Sequence, residues 1–388
     1  YRITDKDGDG KLDTVSTLKR FEGDGDRGPH GIAAGPSPLS IYIVSGEQTR
    51  LPDQLSRRRP PSHWGEDQLL PVPVTSDDGA QPYRAWTCMT RARGREWELH
   101  SIGLRNPYDI AFNHHGDLFT CDGDSPSELG TPFFRPASLY HVPMGADLGA
   151  RGRGKNFPHE YPDTLPPVIE LDPGTPTGLT FGYGAAFPAR FQEALYVCDW
   201  SRSSIDAIHL VPEGSTYRGE REAFVRGPGL HVTDIAIASD GAMYFTTGGR
   251  GKASGLWRVR YTGDEDTAPA ARQPLAPDLA RKHSLLQRLG NLQSVENPQV
   301  IATAWPSLRD SDRSIRYAAR TAIEHHAPDR WLRRYGSEKD ANAILELSVA
   351  LARSGTPEHQ SAVIDKLASL DFEQLNPMQK IAFLRAHG

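Results

Sequence analysis

Cysteine is scarce: Cys88, Cys121 and Cys198 are the three in 388 residues. An odd count without a Cys-x-x-Cys spacing excludes a zinc ribbon, a redox pair and a covalently attached haem within these residues. It leaves packed free thiols, or one disulfide in an exported setting. Charge of one sign is also lacking, since 44 Lys and Arg face 49 Asp and Glu for a net −5. That balance excludes a nucleic-acid-binding surface, and the basic loops Arg57-Arg58-Arg59 and Arg151 to Lys155 do not alter it. No apolar run nears the roughly 20 residues that cross a bilayer. The chain opens at Tyr1 with no basic-then-apolar leader, so the expectation is a removed leader or a piece of a longer protein. No Gly-rich phosphate loop or nucleophile elbow is found. With 37% hydrophobic residues the chain is nonetheless not composed like a disordered one.

Glycine and proline are abundant, 37 and 31 residues, about 18% of the chain against about 12% in average usage. Nine of them fall in residues 281–388, so turns are dense before that point and sparse after it. Four early runs resemble one another: Gly31 to Val44, Asp109 to Thr120, Gly178 to Val197 and Asp234 to Phe245. Each reads as strand, turn and strand, and the first three are followed by further strand pairs such as Ala85 to Ala92 with Glu96 to Ile102. Four strands per unit, repeated, predict a mainly β fold: a β-propeller over residues 1–264, six-bladed when complete and N-terminally truncated here. Residues 265–280 read as a linker. From 281 to 388 the spacing of Ile315, Ala318, Ala319 and Ala322, and of Ile344, Leu347, Ala350 and Leu351, predicts paired amphipathic helices. Such pairs bury their apolar faces by stacking, so the expectation is a HEAT-like repeat segment, cut at its C-terminus.

The sharpest local chemistry is the run Asp5 to Asp13. Asp5, Asp7 and Asp9 bring three carboxylates to one ion, Gly10 permits the turn, the Lys11 carbonyl can ligate, and Asp13 acts directly or through water. Ser16 stands where an EF-hand has its glutamate, which favours a structural calcium loop in a β-hairpin. A second polar group lies at the ends of second strands: Asp122, Asp124 and Glu128 as candidate metal ligands, Asp199 with Arg202, and Arg250 as site-lining residues. Asp and Gly there are also ordinary turn chemistry. His114-His115 reads as a solvated turn, and Trp200 and Trp257 as blade core.

Gly28-Pro29-His30-Gly31, Gly103-Leu104-Arg105-Asn106-Pro107-Tyr108, Thr131 to Pro136, Pro176 to Gly184 and Gly248-Gly249-Arg250-Gly251 together resemble a bacterial family of membrane-bound dehydrogenases typical of planctomycetes and verrucomicrobia. In that family a propeller similar to the soluble quinoprotein glucose and sorbosone dehydrogenases precedes HEAT repeats and a c-type haem domain, which these residues lack. Gly149-Ala150-Arg151 departs from the family's usual Gly-Trp-Arg. The resemblance implies that His30 is the general base and that Arg105 and Asn106 contact pyrroloquinoline quinone; the convergence of strand ends adds Asp199 and Arg250 as cofactor-binding candidates. An imidazole can take a hydroxyl proton while hydride leaves the same carbon, and a guanidinium can stabilise the reduced quinone.

Two function classes follow. One is an exported, periplasmic or cell-envelope module that oxidises a sugar or alcohol and passes electrons to a quinone or a haem domain, with a cytochrome or another protein docking on the helical repeats. The other is a non-catalytic, calcium-stabilised propeller that binds carbohydrate or a partner protein.

Overall fold

A computed structural model describes the chain except residues 24, 38, 53–54, 57–84, 124, 129–132, 152–155, 294–296 and 298, and it describes no side chain within 125–134. The basic run Arg57-Arg58-Arg59 therefore lies outside the described residues. Among the described residues no helix is long and apolar enough to cross a membrane.

The glycine- and proline-rich part is mainly sheet. β1 (Arg2–Thr4) and β2 (Thr14–Ser16) form a hairpin closed by the Asp5 to Asp13 run. β3 (Pro29–Ala34), β4 (Ser40–Ser45), β5 (Ala85–Arg91) and β6 (Trp97–Leu104) form the first antiparallel meander. β7 (Ile110–Phe112) and β8 (Leu118–Asp122) start the second. A ribbon of β9 (Ser125–Glu128) and β10 (Phe133–Arg135) then leads to its next strand, β11 (Ser138–His141). The chain next adds β12 (Ala146–Asp147) parallel to β6, and β13 (Ile169–Glu170) closes the second sheet beside β11. β14 (Pro176–Phe181), β15 (Leu195–Asp199), β16 (Ser204–Glu213) and β17 (Thr216–Arg226) form the third sheet, with the single turn α1 (Ala189–Gln192) before β15. β18 (Val232–Ile237), β19 (Met243–Thr247) and β20 (Gly255–Val259) form the fourth.

The runs of Val, Ile, Phe and Tyr bury both faces of the middle strands, because each sheet packs face-on against the next. Tyr42, Val44, Leu104, Ile110 and Leu118 fill the space between the first and second sheets. Phe119, Cys121, Leu179, Leu195 and Val197 fill that between the second and third, and Tyr196, Cys198, Ile235 and Phe245 that between the third and fourth. The first strands of the four sheets lie side by side: Gly31 N–H donates to the Tyr108 carbonyl at 3.0 Å and Leu179 N–H to Asp109 Oδ2 at 2.9 Å. A Cβ on Gly178 would stand 2.6 Å from the Asp234 Cα, so only glycine admits this approach.

The tail is helical, starting at α2 (Pro277–Leu292), four residues before the predicted boundary. α3 (Gln299–Ala304), α4 (Arg313–Glu324), α5 (Leu332–Ser337), α6 (Ala341–Ser354), α7 (Gln360–Ala368) and α8 (Pro377–His387) follow. Ile315, Ala318, Ala319 and Ala322 are buried with Leu347, Ala350 and Leu351 in one core, as their spacing required. The helices grip the second sheet's long loop through polar pairs. Arg313 donates to the carbonyls of His159, Tyr161 and Thr164, Arg320 to that of Pro162, and Asp163 accepts from Arg353 at 2.6 Å and Arg385 at 3.0 Å. A second junction places His283 Nδ1 3.3 Å from Asp117 Oδ2, next to His141 and Tyr217.

Candidate functional site

The starts of the first strands, and the residues just before them, bring together side chains distant in sequence. His30 on β3 lies with Nε2 2.9 Å from Oδ1 of Asn106. Asn106 Nδ2 donates to the Asp26 carbonyl at 3.2 Å, and this fixes which end of the amide faces His30. His30 therefore donates from Nε2, and in the neutral ring Nδ1 carries the free lone pair. The Tyr108 ring covers the imidazole with centroids 5.0 Å apart. Burial, and then the carboxylates of Asp234 and Asp109, push the Tyr108 phenol up.

Arg105 precedes Asn106 at the end of β6. Its Nε is 3.9 Å from Oε1 of the buried Glu47, which also pairs with Arg27. Asp122, at the end of β8, accepts the backbone N–H groups of Arg105 at 2.7 Å, Asn106 at 2.8 Å and Gly123 at 3.0 Å. Burial raises its carboxyl, while those donors and the Arg105 charge work in the opposite direction. Asp122 thus holds backbone, where strand-end acidity predicted a metal ligand. Of its two predicted companions, Asp124 lies outside the described residues and Glu128 falls on β9 with its side chain outside them.

Arg250 joins this group from the fourth sheet through Asp26. Its Nη2 is 2.7 Å from Asp26 Oδ2, and its guanidinium lies 5.5 Å from the Trp200 ring centroid. Arg250 has φ 49°, a left-handed backbone that the turn of small residues around it accommodates. Asp199 accepts from Ser201 Oγ and Arg202 N–H, both at 2.9 Å, and from Thr175 N–H at 3.3 Å, and so ties the turn after β15 to the segment before β14. Arg202 pairs with Asp172 at 2.7 Å.

Tyr108, Asp109, Glu47 and Asp26 were not singled out from sequence. Asp109 had a signal, since it precedes Ile110-Ala111 as Asp234 precedes Ile235-Ala236 in the repeat. Burial pushes the Asp109 carboxyl up to about 6, against the N–H donors of Leu179 and Ile110 and with help from Asp234.

In the Asp5 to Asp13 run, Asp5 accepts from Gly8 and Gly10 N–H at 2.6 and 2.8 Å, and these bonds hold its carboxyl below the usual range. Gly8 and Gly10 have φ of 80° and 85°, a conformation that glycine adopts freely. Asp5, Asp7 and Asp9 each offer an oxygen within 4.8 Å of the others, the one such carboxylate, histidine or thiol group among the described residues. Lys11 Nζ sits 3.0 Å from Asp9, and Asp13 accepts from Thr14 Oγ1. Cys88, Cys121 and Cys198 are buried free thiols.

No family model and no curated protein matches the chain. Among solved structures it is similar to the PQQ-bound aldose sugar dehydrogenase of Streptomyces coelicolor, at 18% identity and TM-score 0.39 over 60% of this chain and 62% of that one. It is also similar to the holo PQQ domain of a pyranose dehydrogenase of Coprinopsis cinerea, at 14% and 0.35 over 66% and 86%. A third likeness is to a gluconolactonase of Xanthomonas campestris, at 17% and 0.29 over 47% and 56%. The chain spans less than two thirds of the Streptomyces enzyme, and at these TM-scores the likenesses carry no argument about the residues of the site.

Proposed function

We propose that this chain is a propeller-based sugar or alcohol dehydrogenase module of the quinoprotein type, exported, with its helical tail a HEAT-like segment. The observation that carries the reading is the 2.9 Å contact of His30 with Asn106, beside Arg105. Residues of two distant motifs lie in contact there. The donor set suits an anionic, planar quinone: Arg27 and Arg105 flank Glu47, and Arg250 joins through Asp26, whose carbonyl Asn106 also bonds. Glu47 and Asp26 hold those cations in place and temper their charge.

When bound, the quinone would supply the hydride acceptor. His30 Nδ1 takes the hydroxyl proton of the substrate, because Asn106 keeps the proton on Nε2. Arg105 supplies positive charge where negative charge develops, and its pairing with buried Glu47 limits its reorganisation. The Tyr108 ring excludes water from one face of the imidazole.

Calcium is assigned to Asp5, Asp7 and Asp9, with the Lys11 carbonyl and Asp13 completing the loop, as a structural ion of the β1–β2 hairpin. Electrons would leave for a haem domain or a cytochrome beyond these residues.

The test is a titration of the purified chain with pyrroloquinoline quinone and calcium, followed by quinone absorbance and repeated with His30→Ala and Arg105→Ala. Saturable binding lost in the variants, with sugar-dependent dye reduction, is the expected result. A folded wild type that binds no quinone and reduces no dye with a sugar and alcohol panel refutes the quinoprotein reading and favours carbohydrate or protein binding.

A further inference from the structure

We propose that Asp122 is a positioning residue: its carboxylate fixes the Arg105-Asn106 turn and, through Asn106, the ring orientation and tautomer of His30. The inference rests on the reading of His30, Arg105 and Asn106 as the site.

The turn begins where β6 ends at Leu104, and Pro107 prevents the strand from continuing. Two successive N–H groups, of Arg105 and Asn106, thereby lose the strand as a source of acceptors. The two oxygens of one carboxylate, 16 and 17 residues further on, take them at 2.8 and 2.7 Å. Asp122 is 8% exposed, so water does not replace it cheaply. The Arg105 carbonyl accepts from Glu47 N–H at 2.9 Å, and the turn is therefore held from both sides. With its backbone fixed, Asn106 can satisfy the Asp26 carbonyl and His30 together in one rotamer.

Charge matters as well as shape. A carboxylate accepts at both oxygens, whereas an asparagine there would turn its NH₂ toward one of the two N–H groups, donor against donor. Asp122→Asn should release one peptide group and allow Asn106 to leave His30. Nε2 and Nδ1 would then compete for the proton.

The readout is the ¹⁵N spectrum of the His30 imidazole in the full chain, recorded with the ring neutral. Wild type is expected to hold the Nε2–H form and Asp122→Asn to mix the two tautomers. Asp206→Asn is the control, because Asp206 is also buried and pairs with Arg221 and Arg226 on the third sheet. It should lower the melting temperature and leave the His30 spectrum unchanged. A folded Asp122→Asn protein that keeps the wild-type tautomer overturns the proposal. If that variant does not fold, amide exchange in wild type decides: Arg105 and Asn106 amides protected like those of β8 support it, and free exchange overturns it. Quinone titration of the same samples separates the two readings. Wild type that binds no quinone, together with a tautomer that depends on Asp122, removes the quinoprotein function and leaves the positioning role standing. Where wild type does bind, Asp122→Asn should weaken binding about tenfold.

Discussion

Asp163 is the pivot on which the helical segment is docked, and its removal gives the largest effect expected outside the site. The side chain is fully buried and receives Arg353 Nη1 at 2.6 Å, Arg385 Nε at 3.0 Å and Arg385 Nη2 at 3.1 Å. Burial alone would raise its carboxyl, but the two guanidinium groups prevail and hold it well below the ordinary range. Asp163→Asn would leave Arg385 without this carboxylate and Arg353 with Glu324, 3.8 Å away, a change that costs about 3–5 kcal/mol. Whole domains are stable by roughly 5–15 kcal/mol, so the helices should release while the sheets persist. Trp305 and Trp331 are buried among the helices and Trp86 in the first sheet, so tryptophan fluorescence in urea with single-Trp variants follows each part. With an m-value of about 1–3 kcal/mol/M, the helical midpoint should fall by roughly 1–5 M while that of Trp86 moves less. Cleavage by protease in the stretch 262–276, which carries no helix or strand, should rise in parallel. The pH dependence has a definite sign. A folded carboxyl held below its ordinary value of about 3.9 stabilises the fold fully above that pH and loses the contribution as pH falls through the folded value. Wild type should shed its helical docking in acid, and Asp163→Asn should lack that acid-dependent loss. A variant whose helical midpoint matches wild type would refute the reasoning.

Three further outcomes are expected. Asp109 has the opposite sign: with its folded carboxyl near 6, the fold favours the protonated form, and stability declines by up to about 3 kcal/mol between pH 4 and 6. Urea midpoints at both ends of that window should show the decline in wild type, and Asp109→Asn should flatten it; equal slopes would show that the carboxyl is not desolvated. Calcium at about millimolar concentration should raise the melting temperature of metal-stripped protein and leave Asp5→Asn unmoved; coincident melts of wild type with and without calcium would remove the ion from the loop. Burial pushes the Cys88 thiol up to about 12 and those of Cys121 and Cys198 well above the ordinary range, so none should react with a thiol reagent until urea unfolds the sheets. Rapid native labelling of any of the three would contradict that packing.

What could be read in the sequence is what local chemistry encodes. Short apolar runs between Gly, Pro and Asp marked β4, β8, β15 and β19; β8 and β15 are buried on both faces and read as near-continuous apolar runs, whereas β19 alternates. The three-to-four spacing of Ile315, Ala318 and Ala322 likewise marked α4. His30 and the Arg105-Asn106 pair stood out in the sequence because each sits in a compact Gly- and Pro-bounded turn, and the fold brings His30 and Asn106 to 2.9 Å. What stayed hidden is carried by partners far apart. Asp163 and Arg385 are separated by 222 residues, and Asp163 and Arg353 by 190. Neither residue of such a pair looks different from a solvated charge until the sheets and helices bring them together. Asp122 shows that a residue's type does not disclose its partners. An aspartate at a strand end suggests a ligand because it usually faces solvent there. Here the neighbouring β6 ends in Arg105-Asn106-Pro107, and two stranded N–H groups claim the carboxylate first. Composition records that an acid is present, whereas only the register between β6 and β8 determines whether its oxygens remain available for a metal or a substrate.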